Sequence, residues 1–83
     1  MQVRVLFLAR LRELTGTKEL MLELADGSSA ALRHALLGRF TGEVVDALFT
    51  ENTRLACNQA LWDGHAPFVA GDAIAFLPPV TGG

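Results

Sequence analysis

One cysteine, no tyrosine and two histidines leave this chain poorly equipped for metal or redox chemistry. Cys57 has no second cysteine to bridge to, and a single thiol builds no metal cluster. His34 and His65 stand far apart in the sequence; zinc wants three or four ligands, so no metal site is expected. No apolar run approaches the ~20 residues that cross a bilayer. The chain opens on strand-like residues instead of the basic, apolar and small-residue regions of a leader. No membrane partner is expected, and the cytoplasm is the default compartment. Basic residues number only seven, scattered among nine carboxylates for a net charge of −2, which argues against a nucleic-acid partner, since that requires a clustered basic face.

What the chain does have is core-forming material. Its 83 residues are 51% apolar, enough for one small domain that buries roughly 60–65% of its unfolded surface. Residues 2–8 alternate as a strand, with Val3, Val5 and Phe7 on one face and Arg4, Leu6 and Leu8 on the other. Residues 9–16 read as a connector with a helical turn in Arg10-Leu11-Arg12-Glu13-Leu14, ended by Gly16. Residues 17–24 form a second strand with Leu20, Leu22 and Leu24 on one face, and Asp26-Gly27 is a turn pair. Ser28 or Ser29 caps a helix whose Ala31, Leu32, Ala35, Leu36 and Phe40 recur at helical spacing. Thr41-Gly42 breaks it, and residues 43–49 form a short second helix packed by Val44, Leu48 and Phe49. Residues 54–59 read as a third strand, with Leu61-Trp62 extended up to the turn pair Asp63-Gly64. Residues 72–77 form the last strand, Ile74 and Phe76 on one face and Ala73, Ala75 and Leu77 on the other. Two strands, a helix, then further strands predict an α+β fold. The expected arrangement is a ubiquitin-like β-grasp, with one main helix across a mixed sheet and the hydrophobic first and last strands near its centre.

The sequence divides at residue 77. Residues 1–77 are the expected β-grasp domain, and Pro78-Pro79-Val80-Thr81-Gly82-Gly83 is an expected protruding tail. Proline donates no ladder hydrogen bond, and two in succession favour extended polyproline geometry; the segment reaches ~20 Å when fully extended. Gly82 and Gly83 offer no side chain to pack. They leave a slender tip that enters a channel where any Cβ would clash. Two terminal glycines arise by chance in well under ~1% of chains. A carboxylate is a poor electrophile, so chemistry at such a tip requires activation, which adenylation supplies.

Three stretches carry a family resemblance: the run Val5-Leu6-Phe7-Leu8-Ala9-Arg10-Leu11-Arg12-Glu13-Leu14-Thr15-Gly16, the segment Ala56-Cys57-Asn58-Gln59, and the closing Gly71-Asp72-Ala73-Ile74-Ala75-Phe76-Leu77-Pro78-Pro79-Val80-Thr81-Gly82-Gly83. Over its full length the chain resembles the MoaD-type small subunits of molybdopterin synthase, sulfur carriers of the MoaD/ThiS group. Cys57 in place of a valine and Ala73 in place of a common glutamate are mild departures. The resemblance implies a carrier that is not itself an enzyme. Gly83 is adenylated by an E1-like, MoeB-type activating enzyme that uses ATP, with no cofactor bound tightly to the carrier. A sulfur-donating protein then converts Gly83 to a thiocarboxylate. A MoaE-type large subunit, in a heterotetramer, accepts the tail and passes the sulfur to cyclic pyranopterin monophosphate. Family interface positions match Leu8, Leu61, Phe76 and Leu77, with Arg12 as a polar contact.

Alternation independently puts Leu6, Leu8, Ala75 and Leu77 on a solvent-facing sheet surface, where antiparallel sheets usually turn polar and an apolar patch marks a partner site. Other readings of the same tail remain open: a sulfur carrier for thiamine, cysteine or transfer RNA thiolation, a ubiquitin-like modifier joined to lysines, or a β-grasp interaction module with an inert end. Cys57, Trp62 and Asp72 read as structural, the last as part of a turn.

Overall fold

The computed structural model of the protein describes residues 1–79. Alternating strands and amphipathic helices place the elements in the order β1 Gln2–Phe7, α1 Arg10–Thr15, β2 Glu19–Glu23, α2 Ser29–Leu37, α3 Gly42–Leu48, β3 Arg54–Cys57, β4 Ala60–Leu61 and β5 Ala73–Leu77. The described strands form one mixed sheet in the order β2-β1-β5-β3-β4. β1 runs antiparallel to β2 and parallel to β5, and β5 runs antiparallel to β3. The last strand therefore lies at the centre and joins two halves that have no other strand between them. The fold is α+β, with the main helix α2 packed over one face, as the alternation predicts.

The core follows from the two periodicities. Val3, Val5 and Phe7 of β1, Leu20 and Leu22 of β2, and Ile74 and Phe76 of β5 point to one face. There they meet Leu11 of α1, Leu32 and Leu36 of α2, and Val45 and Leu48 of α3. Four phenylalanines knit its centre. Phe7 stacks on Phe76 at 5.7 Å between centroids, and Phe40 and Phe49 meet them edge-on. Arg33 of α2 pairs with Asp46 of α3 and lies over the Phe49 ring. Ser28 caps α2 by accepting from the Ala31 N–H at 3.0 Å, and Thr41 caps α3 by accepting from Val44, so the residue pair read as a helix breaker is also a helix start.

Three local expectations change. The helical turn after β1 is a full helix, α1, closed by Gly16 at φ 66°; it enters through Ala9 at φ 52°. The third strand does not reach residue 59. Asn58 and Gln59 have φ of 51° and 72° and turn the chain back, so β3 and β4 form a two-residue hairpin of the kind that requires positive φ at both central positions. In α3 the fully buried contacts are Leu48, as expected, and Val45, while Val44 and Phe49 are half-buried.

Gly27 shows how tightly the segment after β4 is strapped to the body. Its carbonyl accepts from the Phe68 N–H at 2.8 Å, and a Cβ on Gly27 would stand 2.2 Å from the Phe68 carbonyl oxygen. Backbone cannot swing aside as a side chain can. Gly27→Ala is expected to cost about 2–3 kcal/mol through forced repacking, read as a fall in Tm of roughly 10–20 °C.

Candidate functional site

The buried apolar residues of all three helices face the core, which leaves the opposite face of the sheet without a covering helix among the described residues. Register builds that outer face. Leu6 pairs with Ala75, Ala75 with Ala56, and Ala56 with Leu61, giving an apolar row across four strands. The next pleat carries Leu77, paired with Arg54. Leu8 extends the parallel ladder beyond β1, its N–H donating to the Phe76 carbonyl at 3.2 Å. Leu6, Leu8, Ala75 and Leu77 are half-buried, whereas Leu61 is 73% exposed, the most exposed bulky apolar side chain among the described residues. Charged groups rim the row: Arg4 with Glu19 at 3.7 Å, Arg54, and exposed Arg12, whose Nε donates to the Phe7 carbonyl at 3.5 Å.

Of the residues expected to meet a partner, the structure brings Leu8, Leu61 and Leu77 to this face and sets Arg12 at the end of β1. Phe76 must be corrected. Its ring is fully buried between Phe7 and Phe49, because strand alternation sends it to the face opposite Ala75 and Leu77. Its ring supports the outer face from beneath and presents no exposed surface of its own. β5 hands the chain directly to Pro78 and Pro79, both half-buried. Val80, Thr81, Gly82 and Gly83, the chemical end of the expected tail, lie outside the described residues.

A polar cluster that alternation does not reveal sits where the β3–β4 turn meets β5. Asp72, read from sequence as a simple turn residue, is buried. Its carboxylate accepts from the Val69 N–H at 2.9 Å, from Asn58 Nδ2 at 2.9 Å and from Cys57 Sγ at 3.4 Å. The Val69 amide and then the Asn58 amide hold the Asp72 carboxyl below the ordinary carboxylate range against the opposing pull of burial. Burial first, then the Asp72 carboxylate, pushes the Cys57 thiol up, so Cys57 stays protonated at neutral pH and is a poor nucleophile. A carboxyl depressed on folding contributes stability that is complete above its unfolded value of about 3.9 and lost as pH falls through its lower folded value. Asp72→Asn is therefore expected to lower Tm at pH 7 and to flatten the fall in Tm below pH 4, measured by thermal denaturation across a pH series.

Trp62 packs on Phe68 at 4.8 Å and its indole N–H donates to the Ala66 carbonyl, a packing role. His34 and His65 are exposed, and among the described residues no group of three or more His, Cys, Asp and Glu is placed to hold a metal. No helix among them is long and apolar enough to cross a membrane. A pocket of about 460 Å³ lies between the α2 N-terminus and the loop after β4, lined in part by Ser28, Trp62 and His65; it includes none of the outer-face residues. The outer face and the strand that feeds residues 78–83 thus form the candidate site: a docking surface beside an emerging chain end.

The sequence profile of the ThiS family matches residues 5–83. The chain is 37% identical over 83 residues to the molybdopterin synthase sulfur carrier subunit of Escherichia coli, covering 98% of this chain and 99% of that one. Among solved structures it is similar to SAMP1 from Haloferax volcanii, with a TM-score of 0.80, 21% identity and complete coverage of both chains. It is also similar to a chain of the complex of subunits 1 and 2 of molybdopterin-converting factor from Helicobacter pylori, with a TM-score of 0.70, 27% identity and full coverage of both.

Proposed function

We propose that this chain, which belongs to the ThiS family, is a sulfur carrier in molybdenum cofactor biosynthesis, the small subunit of a molybdopterin synthase and not a catalyst by itself. The observation that carries this reading is the end-to-end similarity to the E. coli sulfur carrier subunit. The helix-free apolar face beside the exit of β5 supports it, because a carrier must be held by its partners while its end is worked on.

The working group is the Gly83 carboxylate. Its oxygen attacks the α-phosphorus of ATP on an E1-like activating enzyme, and pyrophosphate leaves. Hydrosulfide displaces AMP from the acyl carbon and leaves a thiocarboxylate; the persulfide of a donor protein displaces AMP to give an acyl disulfide, which a second thiol of that donor cleaves to the thiocarboxylate as the two donor sulfurs join in a disulfide. On the large subunit that sulfur is transferred to cyclic pyranopterin monophosphate, and water restores the carboxylate. Pro78 and Pro79 stiffen the base of the tail, and Gly82 and Gly83 have no side chain to obstruct a narrow channel. ATP is the activating enzyme's substrate, so the carrier needs no resident cofactor. The ATP requirement also sets the work in the cytoplasm.

Incubation with ATP, an activating enzyme and sulfide, followed by intact mass spectrometry, should show one oxygen-for-sulfur exchange at Gly83. Lysine-linked adducts without a thiocarboxylate would instead make the chain a protein modifier. The docking face has its own test. Leu61→Asp should weaken binding to the large subunit by at least about tenfold, since truncating a central apolar anchor costs ~2 kcal/mol or more; unchanged calorimetric affinity would remove Leu61 from the interface.

A further inference from the structure

Asp72 is the one buried charged side chain among the described residues, and the sulfur-carrier reading assigns it no task. A buried carboxylate is costly to desolvate and keeps its charge only where hydrogen bonds compensate it. Besides the stability those bonds contribute, their partners point to a second role. Asn58 meets the start of β5 through three hydrogen bonds. Its backbone N–H donates to the Ala73 carbonyl at 2.8 Å, its Nδ2 donates to Asp72 at 2.9 Å, and its Oδ1 accepts from the Ala73 N–H at 3.0 Å. Asp72 in turn gathers the Val69 N–H, and its own carbonyl accepts from the Arg4 N–H at 2.9 Å. The cluster thus pins the β3–β4 turn to β5 and, through Arg4, to β1.

What hangs from that turn is β4, two residues long and at the edge of the sheet. So short an edge strand has little hold of its own. It is fixed at its far end by Trp62, whose N–H donates to the Leu55 carbonyl at 2.9 Å and whose ring packs on Phe68. Between these two anchors stands Leu61, the most exposed bulky residue of the outer face. We propose that Asn58 and Asp72 are positioning residues that set Leu61 for docking to the large subunit by clamping the hairpin turn onto β5. The proposal rests on the reading of the outer face as that interface.

Asn58→Gly is the cleanest probe, because glycine adopts the φ of 51° at no cost and only the side-chain clamp is lost. Calorimetric affinity for the large subunit, measured well below Tm, should fall by about tenfold. In a Leu61→Ala background the same change should have little further effect, the non-additivity expected when one residue acts through another. The reciprocal pair Asn58→Asp with Asp72→Asn rebuilds the clamp with donor and acceptor exchanged. Asn at 72 donates to Asp at 58, accepts from Val69 and Cys57, and leaves the second Asp oxygen for the Ala73 N–H. This double variant should bind within about twofold of the unaltered chain, although Asn58→Asp alone sets two carboxylates face to face and should bind poorly. If Asn58→Gly lowers Tm but leaves affinity intact, while Leu61→Ala weakens binding, the clamp is structural only and the inference fails alone. If Leu61→Ala binds normally, the docking reading fails and takes the inference with it. Strictly additive effects of Asn58→Gly and Leu61→Ala also overturn it.

Discussion

Deleting Gly83 should reduce sulfur transfer by ~10³-fold or more while Tm stays within about 1 °C of the intact chain. The body accounts for the second half of that expectation. Among the described residues the core cluster runs from Val3 to Phe76, and a glycine at position 83 has no side chain to add to it. The first half follows from reach. A carboxylate moved back by one residue stands up to ~3.5 Å short of its former position, and a 1 Å misplacement of a reacting group is enough to cost ~10²-fold. One residue added beyond Gly83 should be as damaging, since the reacting carboxylate then belongs to a side-chain-bearing residue in a channel that fits glycine. The measurements are thiocarboxylate formation by intact mass and molybdopterin formation with the large subunit. Full activity of either variant would show that the end of the chain does no chemistry.

Phe76→Ala should have the opposite signature, a collapse of stability. Truncating a buried phenylalanine costs about 3–5 kcal/mol. Here the loss includes contacts with Phe7 at 5.7 Å and Phe49 at 5.5 Å, and aromatic pairs add ~0.5–1.5 kcal/mol each beyond burial. Small domains hold about 5–15 kcal/mol in total, so the variant should melt ~15–30 °C lower and unfold at much lower urea. An interface role predicts the reverse, an unchanged Tm with weakened binding. The two outcomes separate cleanly because Leu77, one position on, lies on the other face.

These two residues also show which parts of the molecule the sequence makes legible. Alternation in Val3-Val5-Phe7 and Ile74-Phe76 identifies the core face, and the same rule applied strictly sends Phe76 inward. The family resemblance sets it at the interface, against the pleat, and the pleat prevails. The α2 contacts Leu32 and Leu36 stand out because helical spacing and a serine cap agree. The β3–β4 hairpin does not. Asn58-Gln59 lacks the glycine that usually marks a two-residue turn, and the apolar residues from Leu55 to Leu61 read as one continuous strand. The energy that holds Asn58 at positive φ comes from Asp72 and Ala73, fourteen or fifteen positions away, and no local pattern encodes a contact of that range. The same holds for Ala9, whose positive φ is fixed by how β1 hands over to α1 and not by its own preference.

The central position of β5 has a consequence for synthesis. A nascent chain lacking residues 73–77 can bring β1 against β2 and β3 against β4, but the two pairs have no strand to join them, and Ile74 and Phe76 are missing from the core. Folding of this domain is thus expected to wait until the ribosome has released β5. Molecules that stop short of that point stay open to proteases, so prematurely terminated chains are removed before they can occupy a partner as folded, unloadable decoys.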